Sequence, residues 1–466
     1  MSAASVAAAP ISRRRLLLPL ALAQFICSFA GSNMNVMIND ISEDLDTDVQ
    51  GVQLAITLFL LIMAVLMIPC SKLTDRWGRK RCFIWGLALY GVGALLSALS
   101  PGLGVLILGN SVFEGVGTAL LIPPVYILAT MWFTNLTARA RAFGVISGMG
   151  GIGAAAGPLI GGVITTGISW RAAFVFQALV IAGIILLSRQ LVDPLPPDPT
   201  RRFDAVGAVL SAVGMFFFVL GVLQADSNWV LTAVLMATGV ALLGSFLLYI
   251  RWEERSGKEP LLSTGLFRNR ISDLALVTQN AQWVLLMGTS FVVAVYLQTV
   301  RGYNAIQTGV IFTAATVGVL VSSLAAERLA KRRPQKTLIV AGFVGTLAGI
   351  GLLIGLVYAS SSIVALVPGL LVIGLGLGVM LTPSVTVVQS SFPEEQQGEI
   401  SGLSRSVSNL GSSFGTAIAG TILVSDLASG NRSYALAMVA LAVAGLIGLA
   451  AALFLPGSLE RQAQTE

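Results

Sequence analysis

Ser71-Lys-Leu-Thr-Asp-Arg-Trp-Gly-Arg-Lys-Arg81 has an echo 252 residues further on, Ser323-Leu-Ala-Ala-Glu-Arg-Leu-Ala-Lys-Arg-Arg333. In each, an acid followed by Arg precedes a cluster of bases, and each segment follows a long apolar run. A second pair repeats the relation. Gly144–Gly162 reads GVISGMGGIGAAAGPLIGG and Gly402–Gly420 reads GLSRSVSNLGSSFGTAIAG. Aligned without a gap, their glycines coincide at 144/402, 153/411, 157/415 and 162/420. Glycine recurs easily in membrane helices, so the charged pair is the more telling of the two. Together they describe a chain with two similar halves.

The composition says what surrounds those halves. Of 466 residues, 55% are hydrophobic and only 11% charged, and the mean hydropathy is +0.86. An ordinary soluble domain carries roughly 25% charged residues. A soluble fold cannot hide so much apolar surface, so lipid has to cover the remainder. The 50 glycines fit, because small residues let membrane helices approach closely. There is no histidine, which excludes imidazole relays, His-ligated metal sites and Ser-His-Asp chemistry. Cys27, Cys70 and Cys82 are odd in number and lack metal-ligand spacing, so they read as reduced thiols. Arginine outnumbers lysine 23 to 5, a bias associated with GC-rich bacterial genomes.

A spanning helix needs about 20 apolar residues. Such runs lie at 16–38, 52–71, 82–100, 104–130, 142–166 and 172–190, then at 205–224 and 228–250. Six more lie at 272–299, 305–326, 337–358, 362–390, 400–424 and 434–456. The expected fold is an all-α polytopic membrane protein with 14 transmembrane helices. Residues 1–190 form a first six-helix bundle, 191–271 a linker with two extra helices, and 272–466 a second six-helix bundle. Paired six-helix halves are how many secondary transporters are built, with the binding site near mid-membrane between them.

The charges test that count. With a cytoplasmic N-terminus, 24 of the 28 bases fall on cytoplasmic segments and only Arg171, Arg301 and Arg432 outside, with Arg405 near the start of the thirteenth span. The positive-inside rule is obeyed, and both termini are expected to be cytoplasmic in a bacterial plasma (inner) membrane. Ser12-Arg13-Arg14-Arg15 looks like a twin-arginine signal, but no convincing cleavage site follows, so the first span reads as uncleaved. The acids Asp40, Glu43, Asp44, Asp46 and Asp48 read as a solvated external loop.

These residues carry a family likeness. Along essentially its whole length the chain resembles the major facilitator superfamily, in its fourteen-helix drug:proton antiporter branch. The loop Ser71–Arg81 is similar to the superfamily signature Gly-x-Leu-Ala-Asp-Arg-x-Gly-Arg-Lys, with Ser71 in place of the first Gly. Gly153–Gly162 (GAAAGPLIGG) resembles the antiporter signature of the fifth helix. Ser169-Trp170-Arg171, and Tyr296-Leu297-Gln298 with Arg301-Gly302, are also similar to this branch. The resemblance implies a conformational latch at Asp75, Arg76, Gly78, Arg79 and Lys80, its bases pairing across the gap between the halves. The plainer alternative is that these bases only orient the loop. In the fifth span, Gly153, Gly157 and Gly161 share one face and Pro158 breaks a backbone hydrogen bond, so this motif, with Gly162, reads as a close, bendable seam or as ordinary small-residue packing.

The chain also departs from the family pattern. Where an aspartate is expected in the first span, Phe29-Ala30-Gly31-Ser32-Asn33-Met34-Asn35-Val36 holds no acid. Where Arg-x-x-Gln-Gly is expected in the fourth, Ser111-Val112-Phe113-Glu114-Gly115 loses the arginine and gains an acid. A buried charge without its partner is costly, so the two losses are read as linked. Glu114 is then the intramembrane carboxyl that either carries the coupled proton or stays neutral and donates one hydrogen bond inside the bundle.

The substrate cavity is expected among helices 1, 4, 5, 9, 10 and 13, with Gln24, Asn33, Asn35, Gln279, Gln282 and Trp283 as its polar and aromatic residues. The GxGxG at Gly374, Gly376 and Gly378 lacks a βαβ context and is not a nucleotide site. The expected activity is export of drugs or amphiphilic small molecules by alternating access, in exchange for protons. The alternatives are export of one endogenous metabolite or lipid, or uncoupled facilitation. A channel would need a polar ring at a constriction, and an enzyme a nucleophile–base pair or metal cluster. The partners expected are a small-molecule substrate, protons and the lipid bilayer, with no nucleic acid, cofactor or metal, no catalytic residue, and a monomeric chain. Alkaline phosphatase fused after Arg301 should be active and fused after Arg333 inactive. The reverse pattern would invert the assigned orientation.

Overall fold

The computed structural model describes residues 13–133, 136–194, 197–198, 203–223, 229–330, 332–359, 362–392, 396–424 and 431–456. Fourteen long helices run through them, numbered here α1 Arg13–Asn33, α2 Val49–Trp77, α3 Arg79–Ala98, α4 Leu103–Trp132, α5 Leu136–Gly167, α6 Trp170–Ser188, α7 Ala205–Leu223, α8 Trp229–Arg255, α9 Arg270–Val300, α10 Ala305–Ala330, α11 Gln335–Ala359, α12 Leu366–Ser390, α13 Gln397–Val424 and α14 Asn431–Leu453. No strand occurs among the described residues. Several starts are fixed by short polar side chains that accept from free backbone N–H groups. Asp48 accepts from Gly51 at 2.8 Å before α2, Ser169 from Ala172 before α6, and Asn269 from Ile271 and Ser272 before α9.

Twelve of these helices are long and apolar enough to cross a membrane, and thirteen once α5 is taken as one span bent by 43° between Arg141–Ala154 and Ala156–Gly167. The bend lies just before Pro158, which has no N–H to return to that turn. The remaining helix, α13, is 28 residues long but rich in serine and glycine, so composition alone does not mark it as a span. Its serines are turned into protein. Ser406 donates to the Ala64 carbonyl of α2 at 2.5 Å, and Ser404 to Gln279 of α9 at 2.9 Å.

Packing follows the repeat. In the first block α1 lies on α5, and α3 on α4 and α6. In the second, α9 lies on α13 and α14, and α12 on α10 and α11. The blocks meet along two seams, α2 with α13 and α5 with α10. α7 and α8 pack on each other beside the α2–α13 seam, where the Phe218 and Phe414 rings stand edge to face at 5.7 Å. α8 is barely covered by protein, with Trp229, Leu248 and Trp252 exposed, as a helix facing lipid should be.

The glycine motif explains why the halves match. A Cβ at Gly153 would stand 2.3 Å from the Phe25 carbonyl oxygen of α1, and one at Gly411 would stand 2.4 Å from that of Asn280 in α9. Gly157 lies against Phe29, Ser32 and Asn33, and Gly415 against Val284. The last pair faces the other half: Gly162 abuts Ala305 of α10, and Gly420 abuts Gln53 of α2. At Gly153, Gly411, Gly415 and Gly162 the crowding atoms are backbone, and only a residue without a side chain lets backbones come this close, while at Gly420 the neighbour is the Gln53 side chain. The charged half of the repeat is less fully seen, since the Glu327 side chain and Lys331 lie outside the described residues.

Gly153→Val should destabilise the purified protein by about 1–3 kcal/mol or more through overpacking. Gly144→Val, in open space on the same helix, should change stability by less than about 0.5 kcal/mol. Thermal unfolding in detergent compares them.

Candidate functional site

Between the two halves lies a partly open cavity whose empty space, the part open to the surroundings included, is about 480 Å³. α1 contributes Gln24, Cys27, Ser28 and Gly31, and α2 contributes Leu60, Met63 and Met67. Ile122 comes from α4, Trp283 and Met287 from α9, and Arg405, Ser408, Asn409 and Ser412 from α13. An apolar wall with a few polar groups suits an amphiphilic ligand, and methionines re-pack around varied shapes.

The sequence expectation and the cavity agree at Gln24 and Trp283 only. α5 and α10 do not line it, because they are closed on each other: a Cβ at Gly309 of α10 would stand 2.5 Å from the Pro158 carbonyl oxygen. α2 takes their place. Asn33 is fully buried against Gly157 and Gly161, inside the α1–α5 seam. Asn35 uses its backbone carbonyl to accept from Gln298 at 2.7 Å. Gln279 bridges Ser404 and Ser408, at 2.9 and 2.8 Å, which fastens α9 to α13. Gln282 is buried with its Oε1 unpartnered among the described residues. None of the four lines the cavity, and only Gln279 fastens two helices through its side chain, while both side-chain polar atoms of Asn33 and Oδ1 of Asn35 have no partner among the described residues.

Arg405 was the residue left over by the charge count. It reaches into the cavity, where its guanidinium lies 4.3 Å from the Tyr126 ring centroid and donates to the Tyr126 hydroxyl. That hydroxyl donates to Gln24 Oε1 at 3.1 Å, so one chain of contacts joins α13, α4 and α1. The signal available in the sequence was an arginine inside the repeated glycine segment, at a register where the first half holds Ser147.

Glu114 lies elsewhere. It is fully buried at the end of a π-helical stretch, Ile107–Glu114, that widens the first half of α4. Gly93 of α3 makes room for it, and Ser97 donates to its Oε1 at 3.5 Å, while Oε2 has no partner among the described residues. The neighbouring Tyr90 hydroxyl donates to Gln177 at 2.5 Å. Glu114 is therefore inside the first block, behind the cavity wall rather than in it.

Each end of the cavity has its own closure. At the end carrying the Ser71–Arg81 loop, Gly78 turns the chain between α2 and α3 with φ at 95°, a conformation that favours glycine. Asp75 pairs with Arg79 at 2.6 Å, and Lys80 donates from its backbone to Asp193 and from its ammonium to the Arg189 carbonyl. Arg76 lines a small charged pocket with Asp204 and Glu259 of the linker. These contacts tie the loop to the chain after α6 and to the linker. The contact across the halves comes one turn earlier, where Lys72 of α2 pairs with Glu399 of α13 at 2.5 Å. At the opposite end Asn39 donates to Gln298 twice, from its backbone at 3.2 Å and its side chain at 3.1 Å.

The acidic segment there is built in rather than merely solvated. Asp44 accepts from Trp170 Nε1 at 3.0 Å and pairs with Arg171, which stacks on the Trp170 ring and reaches the Ser100 carbonyl. Asp48 caps α2, and burial pushes the Asp40 carboxyl above the usual carboxylate range.

Two helical blocks around a central cavity, closed by different contacts at its two ends, define a membrane transporter of the secondary type. Residues 20–416, and again 275–463, match the sequence profile of the Major Facilitator Superfamily, and the chain belongs to that family. A puromycin resistance protein of Streptomyces alboniger is 29% identical over 86% of this chain and 80% of its own length. The multidrug efflux pump LfrA of Mycolicibacterium smegmatis is 30% identical over 79% of this chain and 72% of its own. A crystal structure of a peptide transporter with bound sulfate shares the fold, with a TM-score of 0.67 at 17% identity over 95% of both chains.

Lys72→Gln or Glu399→Gln should loosen the loop end by up to about 1 kcal/mol, roughly a fivefold shift toward opening there. The rate of thiol labelling of a cysteine placed at Asn409 reads this, and Lys72→Glu with Glu399→Lys should restore the slow rate.

Proposed function

We propose that the chain exports drugs or related amphiphilic small molecules across the bacterial inner membrane by alternating access, in exchange for protons. The observation that carries this reading is the cavity between the halves, bordered by Trp283, Met63, Met67 and Met287 and closed at both ends by contacts that can part. Resistance and efflux relatives, matched over 72–80% of their own length, support the direction and the substrate class. We count α13 as the fourteenth span and take residues 1–190, 191–271 and 272–466 as first bundle, linker and second bundle. The excess of bases on the Ser71–Arg81 side supports a cytoplasmic position for that face and for both termini. The chain acts as a monomer, because the cavity is complete within it.

Glu114 is the carboxyl we assign to proton coupling. It is buried, has one oxygen free of a partner among the described residues, and lies within electrostatic reach of Cys27, a cavity residue. A second reading, uncoupled facilitation, has one observation in its favour: Glu114 does not line the cavity. Liposomes holding a pH dye decide between them. Substrate-induced proton movement in the wild type, abolished by Glu114→Gln, is the expected result. Substrate movement without proton flux in the wild type would replace exchange by facilitation.

A further inference from the structure

The central cavity carries one full positive charge and no negative one. Among its described lining residues Arg405 is charged, and none is Asp or Glu. The acid nearest to it along α13, Glu399, is held by Lys72. Glu114 faces Ser97 and Tyr90 inside the first block. What steadies the guanidinium is neutral, the face and hydroxyl of Tyr126. Arg405 is only partly buried, so its guanidinium stays open to the cavity, and a cation held in so weakly polar a wall without a counter-charge still carries a cost that a cation–π contact offsets only in part. If the role of residue 405 were only to join α13 to the Tyr126–Gln24 pair, a neutral amide would do so without the cost. A permanent charge is the better choice only where something negative comes to meet it.

We propose that Arg405 selects substrates that carry an oxyanion, a carboxylate or sulfonate, on an apolar body. This rests on the exporter reading and names its substrate class. The guanidinium presents a planar fork of five N–H donors, which matches two oxygens at once. Leu60, Met63, Met67, Trp283 and Met287 enclose the rest of the molecule. An ammonium in the same place meets like charge in a weakly polar cavity and is rejected. The Arg405–Tyr126 contact also links α13 to α4 across the cavity. An anion that takes over the guanidinium removes that link, so occupancy and loosening of the two halves go together.

The test uses three compounds on one frame: 7-methoxycoumarin-3-carboxylate, its neutral N-methyl amide, and its cationic dimethylaminoethyl amide. Equilibrium binding to the purified full-length protein and export from liposomes are measured for each. The wild type should bind the carboxylate about tenfold more tightly than the neutral amide, and the cation more weakly than either, as a charge-assisted hydrogen bond implies. Arg405→Gln should bring the carboxylate down to the level of the amide in the same variant, and a thermal unfolding midpoint near the wild type's shows that the variant is folded. Arg405→Lys should keep most of the preference. Equal binding of carboxylate and amide by the wild type overturns the proposal while export of the amide leaves the exporter reading intact. An equal loss for carboxylate and amide in Arg405→Gln also overturns it, and makes Arg405 a structural strut. Failure of the wild type to bind or move any of the three removes the exporter reading for this class, and the proposal with it.

Discussion

Lipid tails are as apolar as leucine, so two helices in a bilayer gain little by hiding leucines from it, and what they gain comes from contact. In this chain that contact is made where α5 and α13 press their glycines onto the backbones of α1 and α9. Gly153 and Gly157 seat on Phe25 and Phe29, and Gly411 and Gly415 seat on Asn280 and Val284. Each glycine helix then turns the last glycine of its repeated segment, Gly162 or Gly420, outward to the opposite half. The same two helices thus fix the shape of each block and form one wall of each seam. The cavity is the space left when both seams close.

Placement of the chemistry follows. α5 spends its faces on α1 and α10, so it has none for the cavity. α13 spends one face on α9 and one on α2 and still presents Arg405, Ser408, Asn409 and Ser412 to the interior. The pseudo-symmetric pair is therefore asymmetric in placement: α5, bent by 43° ahead of Pro158, is closed between its neighbours, whereas the serine-rich α13 also borders the cavity.

Much of this was legible in the sequence, for physical reasons. The apolar runs had to be helices because lipid leaves no other way to satisfy the backbone, and the charge bias required an ordered alternation of loops. The repeat announced the two halves because identical packing needs identical glycines. Helix edges moved by a few residues where polar side chains extended a span, as in α5, expected at 142–166 and found at Leu136–Gly167. The cavity was the least legible part. A buried amide in a membrane helix serves packing as well as binding, and sequence does not say which neighbour it faces. Asn33 and Gln279 went to the seams, Gln24 to the interior. Arg405 passed as one more base near a span end, since periodicity alone did not reveal which way it pointed.

The two closures of the cavity are built from different materials. At the loop end an ion pair, about a quarter exposed, holds Lys72 to Glu399. At the other end neutral amides, Asn39 and Gln298, do the holding. Dissolved electrolyte screens the first and leaves the second untouched. A rise in ionic strength on the side that faces the ion pair therefore loosens that closure and leaves the amide closure as it was.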